Sequence, residues 1–267
     1  MKLLEGKKGI IFGALDENSI AWKVAEKCTD HGAKYVLTNA PVALRMGQIQ
    51  RLGEQVGAEV IAADATNIDD LTALFTQSTD ILGGKIDFIL HSIGMSINVR
   101  KNKAYDDLNY DWMHKSLDIS AISFHKIMQT ALKEDVLSEW GSVLALSYIA
   151  AQRVFPDYSE MAEAKSLLES FGRSMGYHLG TRIKVRVNTI SQSPTRTTAG
   201  SGITGFDDFF DYADQMSPLG NASAENCADF CVVMFSDLTR MITMQNLYHD
   251  GGFSSMGLNP AVLDKGQ

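Results

Sequence analysis

Gly9-Ile10-Ile11-Phe12-Gly13-Ala14-Leu15-Asp16-Glu17-Asn18-Ser19-Ile20 is the stretch on which the fold turns. Its first five residues form an apolar run, as expected of a parallel strand covered on both faces. A helical pattern then runs from Ile20 to His31 and stops at Gly32. Strand, tight turn and helix in that order open a βαβ unit. Gly13 lets the backbone turn tightly, and Ser19 is expected to cap the helix. The free N–H groups and positive dipole of that helix start suit a pyrophosphate. The Gly-x-Gly-x-x-Gly spacing is absent, so a plain strand-turn-helix fits this stretch equally well.

Working outward, strand and helix keep alternating. Further strands are expected at 34–38, 59–63, 86–90, 142–146, 184–190 and 246–249. Helices are expected at about 43–56, through Leu71, Leu74 and Phe75, over roughly 110–137, and after Tyr148. No linker or low-complexity break interrupts the series. The pattern predicts one α/β domain over residues 1–267: a doubly wound, Rossmann-type parallel sheet of seven strands with helices on both faces. Ligands of such sheets lie outside the carboxyl ends of the strands, where strand order reverses. Gly13, Asp64, His91 to Gly94, Ser147-Tyr148 and Ser191 to Pro194 all fall at such ends.

Composition narrows the function classes. Hydrophobic residues make up 45% of the 267 and charged ones 21%, as in ordinary globular domains. A net charge of −8 argues against nucleic-acid or anionic-membrane partners. No apolar run is long enough to span a bilayer, and the first residues carry charges where a signal peptide needs an apolar core. A cytoplasmic protein is expected. Cys28, Cys227 and Cys231 read as core thiols. The six histidines form no ligand cluster, and no metal is assigned.

Chemistry concentrates between Tyr148 and Lys165. Seven helical residues turn through about 700°, which would set Tyr158 and Lys165 on one face, roughly 10 Å apart. A phenol and an ammonium so spaced can bracket a ligand; an amphipathic helix with a surface lysine also fits this stretch alone. The second strand ends Thr38-Asn39-Ala40-Pro41, with neither an acid for a ribose diol nor an adjacent arginine for a 2′-phosphate. That favours NADH over NADPH. Asp64 and Ala65 suit an adenine edge, although Asp64 serves as well as a helix cap. Ile93-Gly94 allows a cofactor to approach the backbone closely.

Taken together, Gly13 with Ser19-Ile20-Ala21-Trp22, His91-Ser92-Ile93-Gly94, Leu146-Ser147-Tyr148 with Tyr158 and Lys165, and Asp250-Gly251-Gly252-Phe253 resemble the short-chain dehydrogenase/reductase superfamily. Within it they resemble the NADH-using type I enoyl-acyl-carrier-protein reductases, over about residues 3–257. Most of the superfamily spaces tyrosine and lysine four apart. Here Ala162 holds that position, and Lys165 comes seven after Tyr158.

The resemblance implies hydride delivery from NADH to the β-carbon of a trans-2-enoyl thioester, bound to acyl carrier protein or coenzyme A. Tyr158 would stabilise charge on the thioester oxygen, Tyr148 would assist or touch substrate, and Lys165 would hold the nicotinamide ribose. Gly13, Ser19, Ile20, Asp64, Ala65, Ser92, Ile93, Gly94, Pro194, Thr195 and Thr197 would line the cofactor, and Ser96 the substrate. Gln192-Ser193 departs from the family's Ala-Gly and puts the geometry there in question.

Residues 196–218, with Gly200, Gly202 and Gly205 and then Phe206, Phe209, Phe210 and Tyr212, would form a substrate-binding loop and helix. A docked core helix is the other reading. Asp207, Asp208, Asp211 and Asp214 would repel an acidic carrier, leaving Arg100, Lys101 and Lys103 as a docking candidate or simply a solvated loop. The stripe Ala162, Ser166, Ser170, Ser174 fits either core packing or the superfamily's dimer interface; the latter predicts a homotetramer. A carbonyl or alcohol dehydrogenase and a non-catalytic dinucleotide sensor are the competing functions.

Overall fold

The computed structural model describes residues 2–198, 200 and 205–263. Gly202 lies outside the described residues. Seven strands, β1 (Lys8–Phe12), β2 (Lys34–Asn39), β3 (Val60–Ala62), β4 (Ile86–His91), β5 (Leu137–Ser147), β6 (Arg186–Gln192) and β7 (Asn246–His249), form one sheet in the order β3-β2-β1-β4-β5-β6-β7. Every pairing is parallel. Strand order reverses between β1 and β4, the place such sheets reserve for ligands.

Pleat alternation sends side chains to two cores. Ile10 and Phe12 of β1, Ile89 of β4, and Val143 and Ala145 of β5 face one core. That core is completed by α4 (Ile68–Leu82), α7 (Ser123–Lys133) and α8 (Met161–Ile183). Ile11, Phe88, Leu90, Leu144 and Leu146 face the other, closed by α1 (Ile20–Asp30), α3 (Ile49–Val56) and α10 (Ala224–Phe235). Residues buried on both faces of each strand are what a covered parallel sheet requires. Cys28, Cys227 and Cys231 are fully buried where α1 meets α10, as core thiols.

Several expected boundaries move, each for a local reason. The helix expected at 43–56 is two: α2 (Pro41–Met46) and α3, parted at Gly47. A Cβ there would lie 2.7 Å from the Leu15 side chain, and the Gln48 amide donates to the Leu15 carbonyl at 2.8 Å. The break thus braces the β1–α1 turn. The long helix expected over 110–137 is α6 (Tyr110–Leu117), a π-helical turn (Asp118–Ile122) and α7, ending at Lys133.

β5 begins five residues earlier than expected and bulges against β4 between Ile86 and Phe88, with Trp140 at φ +64°. β6 starts later, because Lys184 ends α8 in the left-handed conformation and Ser191-Gln192 still pair with Tyr248-His249. Between β4 and α6 lies the short α5 (Ile97–Arg100); α9 (Phe206–Met216) and α11 (Pro260–Leu263) complete the chain.

Candidate active site

The β1–α1 turn is built on backbone proximity. Gly13 has φ +99°, and a Cβ on it would sit 2.0 Å from the Ser92 carbonyl oxygen. The ends of β1 and β4 therefore touch main chain to main chain, and only glycine fits. Ser19 stands at the helix cap position but does not cap the amides. Its hydroxyl donates to the Asp16 carbonyl at 2.7 Å and accepts from the Leu15 amide at 3.3 Å, closing its own loop. This corrects the expected role and leaves the amides of Ile20 and Ala21 without partners among the described residues. Asn39 steadies the turn by donating to the Ala14 carbonyl at 3.0 Å. A cleft of about 440 Å³ opens above it, lined by Asn18, Lys23, Thr195 and Ser223 among others.

Other strand ends surround this turn. Asp64 is occupied as a turn residue, accepting from the amide and hydroxyl of Thr66, while Ala65 is buried beside it. Ile93 packs on the core, and Gly94 faces Lys165: a Cβ there would lie 3.9 Å from the lysine Nζ. After β6, Pro194 is buried, Thr195 Oγ donates to the Ser193 carbonyl, and Thr197 Oγ accepts from the Gly200 amide. Gln192 reaches Thr195, the Ala222 carbonyl and His249, and Ser193 accepts from the Ala222 amide. The unusual Gln192-Ser193 pair thus ties this loop to β7 and to the approach of α10.

The stretch from Tyr148 to Lys165 departs from the expected helical arrangement. α8 starts only at Met161, and Tyr158 ends a separate 3₁₀ turn, Pro156–Tyr158. Tyr158 and Lys165 therefore do not share seven residues of one helix. Tyr158 packs instead against Tyr148, ring centroids 5.1 Å apart, with Phe155 at 5.4 Å and Phe209 at 6.2 Å from Tyr148.

Among the described residues the buried Tyr148 hydroxyl has no hydrogen-bond partner, and neither has the Tyr158 hydroxyl. Burial raises both phenol pKa values, Tyr158 and Asp250 adding to the effect at Tyr148. Both stay neutral donors. Lys165 is buried and donates to the Leu146 carbonyl at 2.7 Å, leaving two hydrogens uncommitted. Burial pushes its pKa down to about 8, against an upward pull from Glu169 one turn on.

Between Tyr158 and α8 the chain is strained. Ser159 has φ +49° and ψ −144°, a conformation that costs a non-glycine residue about 1–3 kcal/mol. Next to it, Glu160 is fully buried. Its Oε1 accepts from Ser96 Oγ at 2.6 Å and from Ser116 Oγ at 2.7 Å; Trp112's carbonyl, 2.8 Å away, is the alternative acceptor for Ser116. Burial pushes this carboxyl up, but the hydrogen bonds from Ser96 and Ser116 outweigh it, so the net shift is downward. Ser96 also accepts from the Val99 amide, so its hydroxyl is committed.

Sequence reasoning missed Glu160, Ser116 and Phe155, since an acid before a helix and a serine inside one read as surface residues. It named His91 only as a strand end. That imidazole is buried, and burial and then Lys165 push its pKa down to about 3. Its Nε2 lies 2.9 Å from Ser123 Oγ, which itself donates to the Ile119 carbonyl, so His91 is the donor of the pair.

On α9, Arg196 pairs with Asp207 and Asp211 and lies 4.3 Å over the Phe210 ring, while Asp214 accepts from the Asn221 amide. Much of the acidic face is thereby answered. Arg100 and Lys101 are exposed, and Lys103 pairs with Asp107 at 2.6 Å. No helix among the described residues is long and apolar enough to cross a membrane, and no cluster of three potential metal ligands occurs among them.

The arrangement fits a dinucleotide: a cradle that a Cβ would fill, free helix-terminal amides, and a buried ammonium with spare hydrogens. Residues 13–254 match the family model described as enoyl-(acyl carrier protein) reductase. An enoyl-(acyl-carrier-protein) reductase (NADH) 1 of Rhizobium meliloti is 32% identical over 258 residues, covering 96% of this chain and 93% of the relative. A FabI of the same description from Bacillus cereus is 31% identical over 260 residues, covering 96% and 100%. Among solved structures, the FabI–NADH complex from Alistipes finegoldii superposes with a TM-score of 0.98 at 58% identity, covering 100% of this chain and 94% of that one.

Proposed function

This chain belongs to the enoyl-(acyl carrier protein) reductase family, and from that premise we propose how its residues divide the reduction. It is an NADH-dependent enoyl-acyl-carrier-protein reductase, reducing the double bond of trans-2-enoyl thioesters in the last reductive step of fatty acid elongation. When bound, NADH supplies the hydride to the β-carbon.

The rest falls to the protein. Negative charge develops on the thioester oxygen as an enolate. Tyr158 donates to it, stabilising the transition state more than the ground state, and a solvent-derived proton then adds at the α-carbon. Tyr148, with a buried hydroxyl that has no partner among the described residues, supplies a second donor or a substrate contact. Lys165 gives its two uncommitted hydrogens to the nicotinamide ribose hydroxyls. The amides of Ile20 and its neighbour, with Gly13 and Ser19, take the pyrophosphate; Asp64 and Ala65 border the adenine. Ser92, Ile93 and Gly94 let the cofactor lie close, Pro194, Thr195 and Thr197 face the carboxamide, and Ser96 meets the substrate through its backbone. Helix α9 (Phe206–Met216) covers the acyl chain, with Phe155 and Phe209 as apolar wall.

The observation that carries this reading is the pair of neutral phenols, unpartnered among the described residues, in ring contact at the edge where Lys165 meets Gly94. The stripe Ala162, Ser166, Ser170, Ser174 is not buried in the single chain, which supports a homotetramer assembled through α8. We place the enzyme in the cytoplasm, with carrier-bound rather than coenzyme A thioesters as physiological substrate.

NADH oxidation with crotonyl thioesters, and none with ketones, tests the reaction. Tyr158→Phe should lower turnover about 100- to 1,000-fold with NADH affinity near wild type. Lys165→Ala should weaken NADH binding instead. Equal loss of NADH affinity in both variants contradicts this division of roles.

A further inference from the structure

Three segments distant in sequence meet at one oxygen of Glu160. Ser96 heads α5 just past the end of β4, Ser116 lies in α6, and Glu160 precedes α8; both hydroxyls converge on Oε1. Ser159, immediately before it, holds φ +49°, and its own hydroxyl is buried without a hydrogen-bond partner among the described residues. Nothing on the Ser159 side chain sustains that conformation. The residue before Ser159 is Tyr158, so this turn joins the phenol-bearing segment to α8.

An isolated buried carboxylate is costly, and it persists only where hydrogen bonds and dipoles favour the charge. Here two serine hydroxyls do so at Oε1, together with the α8 N-terminus, while Oε2 is buried without a hydrogen-bond partner among the described residues. An apolar residue would fill the same space without tying three segments to one point. We infer that Glu160 is a positioning residue for the reduction. Through Ser96 and Ser116 it holds the Ser159 peptide at positive φ and so aims the Tyr158 phenol. The same bond through Ser96 registers the phenol against the loop that follows β4. This inference rests on the reading that Tyr158 donates to the thioester oxygen.

Displacing a reacting group by about 1 Å costs on the order of 100-fold. Glu160→Ala should therefore lower kcat by about 10- to 100-fold, with enoyl KM and NADH Kd within about twofold of wild type. In a Tyr158→Phe background the same substitution should add less than about twofold, because the group it aims is gone. Ser159→Gly in the Glu160→Ala background should recover most of the lost kcat, since glycine accepts positive φ without a restraint.

If Tyr158→Phe alone leaves kcat near wild type, the parent reading fails. If Tyr158→Phe is crippled and Glu160→Ala costs the same fold in both backgrounds, Glu160 does not act through Tyr158, and the inference falls while the parent reading stands. An unchanged kcat, or a parallel loss of NADH affinity, also overturns it. Should Glu160→Ala not fold, Ser116→Ala removes one donor. It should lower kcat about threefold to tenfold, with the same collapse in the Tyr158→Phe background; no loss of kcat, or the same loss in both backgrounds, overturns the inference.

Discussion

Two turns on the same edge of the sheet sit at positive φ, and they reach it by opposite means. At Gly13, φ is +99° because no side chain exists, and the Ser92 carbonyl occupies the space a Cβ would need. At Ser159, φ is +49° in spite of a side chain, beside a buried carboxylate held by residues 44 and 64 positions away. The first turn works through its backbone, with main chain packed against main chain, and is suited to a polyanion resting on helix amides. The second is assembled from tertiary contacts and delivers side-chain chemistry. An edge proposed to hold a cofactor in one place and to react in another has use for both.

The largest effect should come from giving the first turn a side chain. Gly13→Ala forces β1 away from the Ser92 carbonyl, and a backbone atom cannot yield as a flexible side chain would. A stability loss of about 3 kcal/mol is expected, with NADH affinity lost before the fold. Denaturant melts with and without NADH measure both. Near-native affinity in Gly13→Ala would mean that the turn does not bind the cofactor.

Next in size is a pH effect that separates the two turns. The Gly13 turn is proposed to bind through backbone amides, which do not titrate, so a loss of NADH affinity on the alkaline side is assigned to the other region. Tyr148 and Tyr158 are both raised, and Lys165 alone among the three is lowered, to about 8 by burial. NADH affinity should weaken above pH 8, by at most about tenfold per unit for one proton. Stability of the cofactor-free enzyme should move the other way. The folded protein holds fewer protons than the unfolded chain between about 8 and the ordinary 10.5, so this contribution rises with pH across that window. Titrating NADH fluorescence from pH 7 to 9.5 in wild type and Lys165→Met checks the assignment, because the slope should vanish in the variant.

What the chain alone revealed follows the same division. The alternation of Ile10, Ile11 and Phe12, the glycines and the strand-end residues are local signals, and they were enough for the sheet, its ligand edge and the β1–α1 turn. The geometry around Tyr158 was misread because periodicity assumes an unbroken helix. Pro156 and the Ser159 conformation break it, and α8 begins three residues after Tyr158. Ser19 was a plausible cap whose hydroxyl is taken by the Asp16 carbonyl, a contact that only the closed loop creates. Glu160 carries no local mark at all. Its partners lie on two other elements, so its burial follows from the tertiary fold and not from its neighbours in sequence.

The smallest expected effect comes from converting the second turn into the first kind. Ser159→Gly removes a side chain from a conformation that disfavours one, along with a buried hydroxyl that has no partner among the described residues. Against this stands the greater freedom of glycine in the unfolded chain. The terms oppose one another, and the net change in stability should stay within about 1 kcal/mol, on the stabilising side if the strain term is the larger. Turnover should stay within about twofold of wild type with Glu160 intact, because glycine accepts the same positive φ. A destabilisation beyond about 2 kcal/mol would show that the serine is favoured where it sits, and the contrast between a turn made by absence and a turn made by restraint would fail.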